Sequence, residues 1–243
     1  MTKEFRKITF DPARCRKEAE DLRDLLATNV DLQERKQVLP FFKERLQLSA
    51  FLGSYHPEIV RYDLVAHELS LFGTFVADLV VGDSKNSAFA FIEFEDASPG
   101  SIFVQKKGKE REKETPDWSP RLEHGFSQLV DWFFKLHEQG QTVDFEEKFG
   151  SRTIRHLGIL VVGRTGHLGK REEQRLRWRQ EFVLLNSKQI HCKTFDQLRD
   201  DILDRLDQFS TAARVEARDE GTAIDPGRVS KSSEDDFAAG IYD

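Results

Sequence analysis

The sequence of 243 residues is poor in the residues that build disulfide frameworks and thiolate metal sites. It has two cysteines, Cys15 and Cys192, which are too few for either. No apolar run approaches the ~18 residues of a membrane-spanning helix, and the first residues, MTKEFRKITF, lack the apolar core of a signal peptide. We therefore expect a cytoplasmic protein with no membrane partner.

Tyrosine and tryptophan are also scarce, at three each against 20 phenylalanines. This disfavours a carboxylate enzyme of the glycosidase kind, which needs an aromatic-lined sugar cleft. Charge is abundant instead, because 37 Lys+Arg and 43 Asp+Glu make up 33% of the chain and leave a net charge of −6. A negative net charge argues against broad, non-specific binding to DNA.

The pattern along the chain predicts one main α/β domain with appendages. We expect a helical N-terminal segment over 1–40, the main domain over 41–210 and a disordered acidic tail over 211–243. The tail carries four Lys+Arg against eight Asp+Glu, with few large apolar residues.

Apolar periodicity places the elements of the main domain. Expected helices cover 41–52, 121–139, 170–185 and 195–209, and expected strands cover 64–72, 74–81, 88–95, 155–162 and 189–194. The strands 74–81 and 88–95 are separated by a short turn and form a predicted hairpin. This order predicts a mixed central β-sheet flanked by helices.

Acidic residues occur where the hydrophobic effect would not place them. Asp78 lies inside FVADLVV, and Glu93 and Glu95 lie inside AFAFIEFEDA. An unpaired buried carboxylate costs several kcal/mol, and strand alternation puts Glu93 and Glu95 on one face. Three converging carboxylates favour a bound hard cation, Mg²⁺ or Mn²⁺, with Glu68 as a possible fourth acid. The alternative is that each acid faces solvent or pairs with a basic side chain.

The predicted helix 121–139 presents a polar stripe with steps of three and four residues. Its members are His124, Gln128, Asp131 and Lys135. Such a stripe is often a solvent-facing surface. The functional interpretation is that Gln128 leans over the acids and binds a metal-bound water or a substrate phosphate.

An acid in one strand, Glu-x-Glu in the next and a following helix with Gln resemble the PD-(D/E)xK nuclease superfamily. More closely, the chain resembles the Shedu family of bacterial anti-phage nucleases, domain of unknown function 4263. The most specific similarity lies within FAFIEFEDASPGSIF (89–103) and WSPRLEHGFSQLVDWFFKL (118–136), and it also includes HELSLFGTFVADLVVGD (67–83). The resemblance covers about residues 40–205.

The resemblance implies a PD-(D/E)xK-like core and Mg²⁺- or Mn²⁺-dependent cleavage of nucleic acid in anti-phage defence. DNA is the expected substrate, with RNA left open, and a homo-oligomer is expected. Asp78 and Glu93 would hold the metal, assisted by the main-chain carbonyl of Phe94. Gln128 would match the helix glutamine, and Glu68 or Glu44 would match the acid before the hairpin.

One position departs from the motif, because Glu95 replaces its usual lysine. Glu95 could hold a second metal ion or accept the proton of the attacking water. Lys106 or Lys107 could supply the missing positive charge. The alternative is a catalytically silent module that binds nucleic acid or a protein partner.

A basic region follows in the sequence, since residues 152–179 contain eight Lys+Arg and two acids. Arg164 follows a predicted strand, and Arg171, Arg175 and Arg179 step by four along a predicted helix. Such a ridge can follow a phosphate backbone. The alternative is a solvated surface that the acidic tail neutralises, and the tail could also shield the ridge until DNA displaces it.

Overall fold

The computed structural model describes residues 4–105, 115–185 and 187–221, with side chains described through residue 209. The predicted roles of Lys106 and Lys107 and most of the predicted tail therefore lie outside the described residues. The chain divides into two units, Met1–Asp207 and Gln208–Asp243. The first contains the sheet and its flanking helices, and the second is described as helical backbone through Gly221.

A mixed seven-stranded sheet forms the centre of the first unit, in the order β1-β2-β3-β4-β7-β9-β8. The strands are β1 (Arg6–Lys7), β2 (Leu64–Leu71), β3 (Phe75–Asp83), β4 (Ala88–Phe94), β5 (Phe103–Val104), β6 (Asp117–Trp118), β7 (Arg155–Val161), β8 (Leu184–Leu185) and β9 (Lys188–Lys193). Strands β1 to β4 pair antiparallel, whereas β4, β7 and β9 pair parallel. Strands β5 and β6 form a separate small sheet. The α/β class, the mixed sheet and the predicted hairpin are confirmed.

Helices cover both faces of this sheet. They are α1 (Pro12–Thr28), α2 (Leu39–Glu44), α3 (Leu46–Phe51), α4 (Pro120–Gln139), α5 (Val143–Phe149), α6 (Lys170–Phe182) and α7 (Phe195–Gly221). A π-helical turn, Glu34–Val38, precedes α2. No helix in the described part of the chain has both the length and the apolar character needed to cross a membrane.

Three predicted helix boundaries differ from the structure. The helix predicted over 41–52 is divided at Arg45, which leaves the helical region with φ −114° and ψ 76°. The helix predicted over 170–185 ends at Phe182, because the next residues pair with β9 as an edge strand. Helix α7 passes the predicted start of the tail at residue 211, where the sequence TAARVEARDEG is rich in helix-forming residues.

The core has two parts, one on each face of β4. The seven residues of β4 are all buried. Ala90, Ile92 and Phe94 pack into the cluster that includes α1 and α3, and Phe89 and Phe91 pack into the cluster that includes α4. This alternation confirms the face assigned to Phe94, and it directs Glu93 to the side of α4. Helices α1 and α3 contribute residues to the same cluster. The domain boundary expected at residue 40 stays a prediction.

Helix α4 approaches the sheet closely at its N-terminal end. Ser119 caps the helix by accepting the Leu122 N–H at 3.0 Å, and Pro120 occupies its first turn. At Gly125, an added Cβ would lie 2.6 Å from Leu160 Cδ1 and 3.1 Å from Glu95 Cγ. The glycine therefore allows the helix to pass directly over the end of β4.

Candidate active site

The predicted acids lie where the ladder between β3 and β4 ends. The register of these strands runs from Asp83–Ala88 to Leu79–Ile92. Beyond that pair, the Asp78 carboxylate accepts the backbone N–H of Phe94, with 2.9 Å between Oδ2 and N. The Asp78 side chain thus replaces a backbone carbonyl as the partner of Phe94. This contact holds the carboxylate at the point where the pairing of β3 and β4 ends.

Strand β2 is distorted opposite the same position. Glu68 lies opposite Asp78, between the register pairs His67–Leu79 and Leu69–Ala77. Its φ is +52°, a left-handed conformation that is uncommon for glutamate. Ala66 and Leu69 both pack into the cluster on the α4 side, so the alternation of side chains shifts at Glu68. Such conformations persist where the surrounding structure imposes them, and they are frequent at functional sites.

Asp78 and Glu93 form a pair of carboxyl groups that share a hydrogen bond. Burial raises the pKa of Glu93 far above its usual range, and repulsion from the neighbouring Asp78 raises it further. Burial also raises the pKa of Asp78, although the Phe94 N–H opposes this. Both shifts have the same direction, so one group of the pair keeps a proton to higher pH than an isolated carboxyl group does.

Glu95 has a different environment from this pair. Its Oε2 accepts a hydrogen bond from Arg121 Nη1 at 2.9 Å, whereas its buried Oε1 has no hydrogen-bond partner among the described residues. Burial raises the pKa of Glu95 to about 7, against the opposing effect of Arg121. The carboxylate is thus tied to a cation on α4.

A cleft of ≈ 1040 Å³ opens above the Asp78–Glu93 pair. Gln128 and Arg121 on α4 line it, whereas Glu95 is not among the described residues that do. Glu95 lines an adjoining cavity of ≈ 410 Å³ instead. The structure therefore brings Asp78, Glu93 and Gln128 to one cleft and places Glu95 at the adjoining cavity.

The two alternative acids have different positions. Glu68 lines the cleft and forms an ion pair with Lys43, with 2.9 Å between Oε2 and Nζ. Glu44 has a side chain 78% exposed, 3.7 Å from Arg45 Nη1, and is not among the described residues lining the cleft. The structure thus places Glu68, and not Glu44, at the cleft, since α2 turns the Glu44 side chain towards solvent.

Within the described residues, no three His, Cys, Asp or Glu side chains form a ready-made metal-binding group. The metal-ligand roles of Asp78, Glu93, Glu95 and the Phe94 carbonyl stay predictions.

Several cleft residues were not identified from the sequence, and Arg121 is the most central of them. Besides Glu95, it contacts Asp96 at 3.1 Å and Glu34 at 3.7 Å. A usable signal existed, because Arg121 lies three residues before His124 and extends the polar stripe of α4 by one step. Glu34 could not be anticipated, since it reaches the cleft from a π-helical turn.

The structure does not support the phosphate contact predicted for Arg164. Its side chain is 14% exposed and forms an ion pair with Asp196 at 2.9 Å. Its remaining donors bind the carbonyl oxygens of Asn29 and Leu26 at 2.8 and 3.0 Å. Through these contacts, Arg164 links the end of β7 to the C-terminal end of α1 and the first turn of α7.

The predicted arginine ridge on α6 is partly turned towards the protein. Arg179 pairs with Glu123 at 2.5 and 3.0 Å and lies over the Phe126 ring. Arg175 donates to the Pro116 carbonyl at 2.6 Å and lies over the Trp118 ring. Arg171 is exposed, so the continuous ridge of three is reduced to one exposed arginine, and nucleic-acid binding along it stays a prediction.

Comparison with known families gives one match. Residues 31–199 match the family model described as "Shedu protein SduA, C-terminal". A search of the curated proteins finds no match. The matched range includes the π-helical turn, strands β2 to β4 and α4, and thus every residue named above as lining the cleft.

Proposed function

The chain belongs to the Shedu family, and we propose that its cleft is a metal-dependent nuclease site that cleaves DNA. Membership of this family links the chain to anti-phage defence. The observation that carries the proposal is the Asp78–Glu93 pair, in which a partly buried and a buried carboxyl group share a hydrogen bond beneath an open cleft. Perturbed carboxyl groups in a cleft are typical of functional sites.

The donor set of this pair fits a hard divalent cation. Carboxylate oxygens are the ligands that Mg²⁺ and Mn²⁺ prefer, and a bound cation would offset the repulsion between the two groups. Asp78 and Glu93 would hold the ion, with the Phe94 carbonyl as a further donor. When bound, such an ion polarises the scissile phosphate and lowers the pKa of an attacking water.

The chain itself provides the positioning. The Phe94 N–H fixes the orientation of the Asp78 carboxylate, as outer contacts do for metal ligands. On the facing helix, the amide of Gln128 lies 3.3 Å from the His124 ring, and both side chains line the cleft. We assign to Gln128 the binding of a phosphate oxygen of the substrate.

The test is a cleavage assay on linear and supercoiled DNA with Mg²⁺, Mn²⁺ or EDTA. Wild type should cut with either metal and not in EDTA, and Glu93→Gln should not cut. Glu146→Gln is the matched control, since this exposed acid pairs with Arg152 outside the cleft. Equal cutting by wild type and Glu93→Gln would refute the proposal. Parallel RNA substrates identify the nucleic acid.

A second candidate is a silent module that binds nucleic acid without cutting it. The replacement of the motif lysine by Glu95, which is tied to Arg121, favours this candidate. It predicts DNA binding that is the same in Mg²⁺ and in EDTA, no cleavage in either, and no effect of Glu93→Gln on binding.

A further inference from the structure

We propose that Arg121 binds a phosphate of the substrate in the cleft, and that Glu95 positions Arg121 rather than holding a metal ion. The inference rests on the proposed function for the chemistry of the substrate, a phosphodiester. It assigns the cationic role to α4 and the role of an anchor to Glu95.

Contacts on several sides hold the Arg121 guanidinium. Nη1 contacts Glu95 at 2.9 Å, and Nη2 contacts Asp96 at 3.1 Å. Its side chain is nevertheless 43% exposed, whereas that of Glu95 is 1% exposed. A buried carboxylate with a partly exposed guanidinium is the arrangement expected of an anchor and the group it presents.

Arg121 lies between the cavity that Glu95 lines and the cleft that the metal-binding candidates line, in the sense that its side chain lines both. Arg121 lines both the ≈ 1040 Å³ cleft and the ≈ 410 Å³ cavity, Asp78 and Glu93 line the cleft, and Glu95 lines the smaller cavity. Glu95 already binds Arg121 through Oε2, so only its Oε1 could reach a cation without breaking that contact. The close approach of Gly125 to the Glu95 carboxylate confines it further.

Among the described cations of the cleft, Arg121 has the geometry suited to an anion. Lys43 forms an ion pair with Glu68, and Lys36 is exposed. Arg35 is 90% exposed and 3.9 Å from Glu34. A guanidinium fixed in a planar orientation binds phosphate through paired donors and loses little rotamer freedom on binding. The acids around it fix its orientation, and its side chain lines the cleft.

DNA binding in EDTA, where cleavage is not expected, tests the role of Arg121. The probe is a short fluorescein-labelled duplex titrated over a range of NaCl concentrations. Arg121→Gln should weaken binding about tenfold and reduce the slope of log K against log[salt] by about one. Arg121→Lys should keep the slope and recover part of the affinity. Arg152→Gln removes the same charge outside the cleft and should change neither quantity.

Titration with Mn²⁺ tests the role of Glu95. Glu95→Gln should bind Mn²⁺ within about twofold of wild type and weaken DNA binding less than Arg121→Gln does. The double variant should bind DNA no worse than Arg121→Gln alone, because the anchor acts through the arginine. Circular dichroism confirms folding, and if Arg121→Gln unfolds, Arg121→Lys and Glu95→Gln decide the question.

Three results would overturn the inference. They are an Arg121→Gln variant that matches Arg152→Gln in affinity and salt slope, a Glu95→Gln variant that no longer binds Mn²⁺, and a wild type that does not bind DNA. A wild type that binds DNA but neither binds Mn²⁺ nor cuts would refute the nuclease proposal alone, because the comparison in EDTA still decides the role of Arg121.

Discussion

Strand β3 carries two aspartates, Asp78 near its middle and Asp83 at its last residue, and their environments differ in almost every respect. Asp83 has no exposed surface, and its carboxylate accepts the backbone N–H groups of Val60, Arg61, Lys85 and Asn86 at 2.8–3.0 Å. Asp78 accepts one backbone N–H, that of Phe94, and faces the second carboxyl group of Glu93.

The difference shows in the pKa values. Burial opposes the ionisation of Asp83, but its backbone donors lower the pKa below the usual value. Burial raises the pKa of Asp78, and a single backbone donor does not offset it. A buried acid surrounded by donors holds a turn together, whereas one that lacks them and faces another acid is poised to accept a proton or a cation.

The largest expected effect separates activity from stability. Asp78→Asn should reduce DNA cleavage by more than about 100-fold, since even outer contacts of metal ligands contribute 10–100-fold. Its free energy of unfolding in EDTA should equal or exceed that of wild type, because the variant removes a carboxylate whose charge is disfavoured by burial. Cleavage assays and urea unfolding on the same preparation measure both. An Asp78→Asn variant that cleaves DNA as fast as wild type would contradict the functional role assigned to Asp78.

The matched substitution at Asp83 should lower stability and leave activity unchanged, the opposite of the outcome expected at Asp78. Asp83→Asn removes charge-assisted acceptance of several backbone donors and should lower the free energy of unfolding by about 2–3 kcal/mol. Cleavage per folded molecule should stay unchanged, because Asp83 lies ~17 Å along the strand from Asp78. Urea unfolding gives the first quantity, and the cleavage rate corrected for the folded fraction gives the second.

The pH dependence of stability should also have opposite signs. The folded-state pKa of Glu93 lies above its usual 4.5, so the folded protein keeps a proton that the unfolded chain releases. Stability is therefore lost as the pH rises above that value. In EDTA, Glu93→Gln should be more stable than wild type near pH 8 by at least about 1.4 kcal/mol, the equivalent of one pKa unit. If the difference in free energy of unfolding between Glu93→Gln and wild type were the same near pH 5 and near pH 8, the raised pKa of Glu93 would be contradicted.

For Asp83, the folded-state pKa lies below its usual 3.8. Its stabilisation is complete above that value and is lost as the pH falls through the lowered pKa. Acid unfolding of Asp83→Asn should therefore show a shallower dependence on pH than that of wild type. Circular dichroism followed during acid titration measures this slope.

The smallest effect concerns the facing helix. Gln128→Ala should lower cleavage about fivefold, the equivalent of one neutral hydrogen bond, and change stability by less than about 0.5 kcal/mol. The control is Gln139→Ala, at the C-terminal end of the same helix, with no expected change in rate. A loss at Gln128 as large as that at Asp78 would give the glutamine a role in metal binding.

Much of the fold followed from patterns that are local in sequence. The apolar run of β4, the hairpin with β3, and the Ser119–Pro120 start of α4 each depend on residues close in the chain. Elements of two residues such as β1 and β8 could not be anticipated, because they exist through pairing with distant strands. The short helix α5 was also missed, although Thr142 caps it and Gly150 ends it in a left-handed conformation.

The candidate site was predicted in composition better than in arrangement. Asp78, Glu93 and Gln128 share a cleft, as the acid and helix patterns indicated. The positive φ of Glu68 and the shift in strand alternation arise from tertiary packing, which no period-two pattern expresses. The pairing of Glu95 with Arg121 joins the end of β4 to the first turn of α4, and such long-range ion pairs leave no local signal. Arg164 was assigned to the surface for the same reason.

Calorimetric titration of Mn²⁺ into wild type, Glu93→Gln and Asp83→Asn tests the central claim most directly. We predict binding to wild type and to Asp83→Asn, with proton release as the ion displaces the proton of the Asp78–Glu93 pair, and no binding to Glu93→Gln. Equal binding to wild type and Glu93→Gln, or no binding to folded wild type, would contradict the assignment of this pair as a metal site.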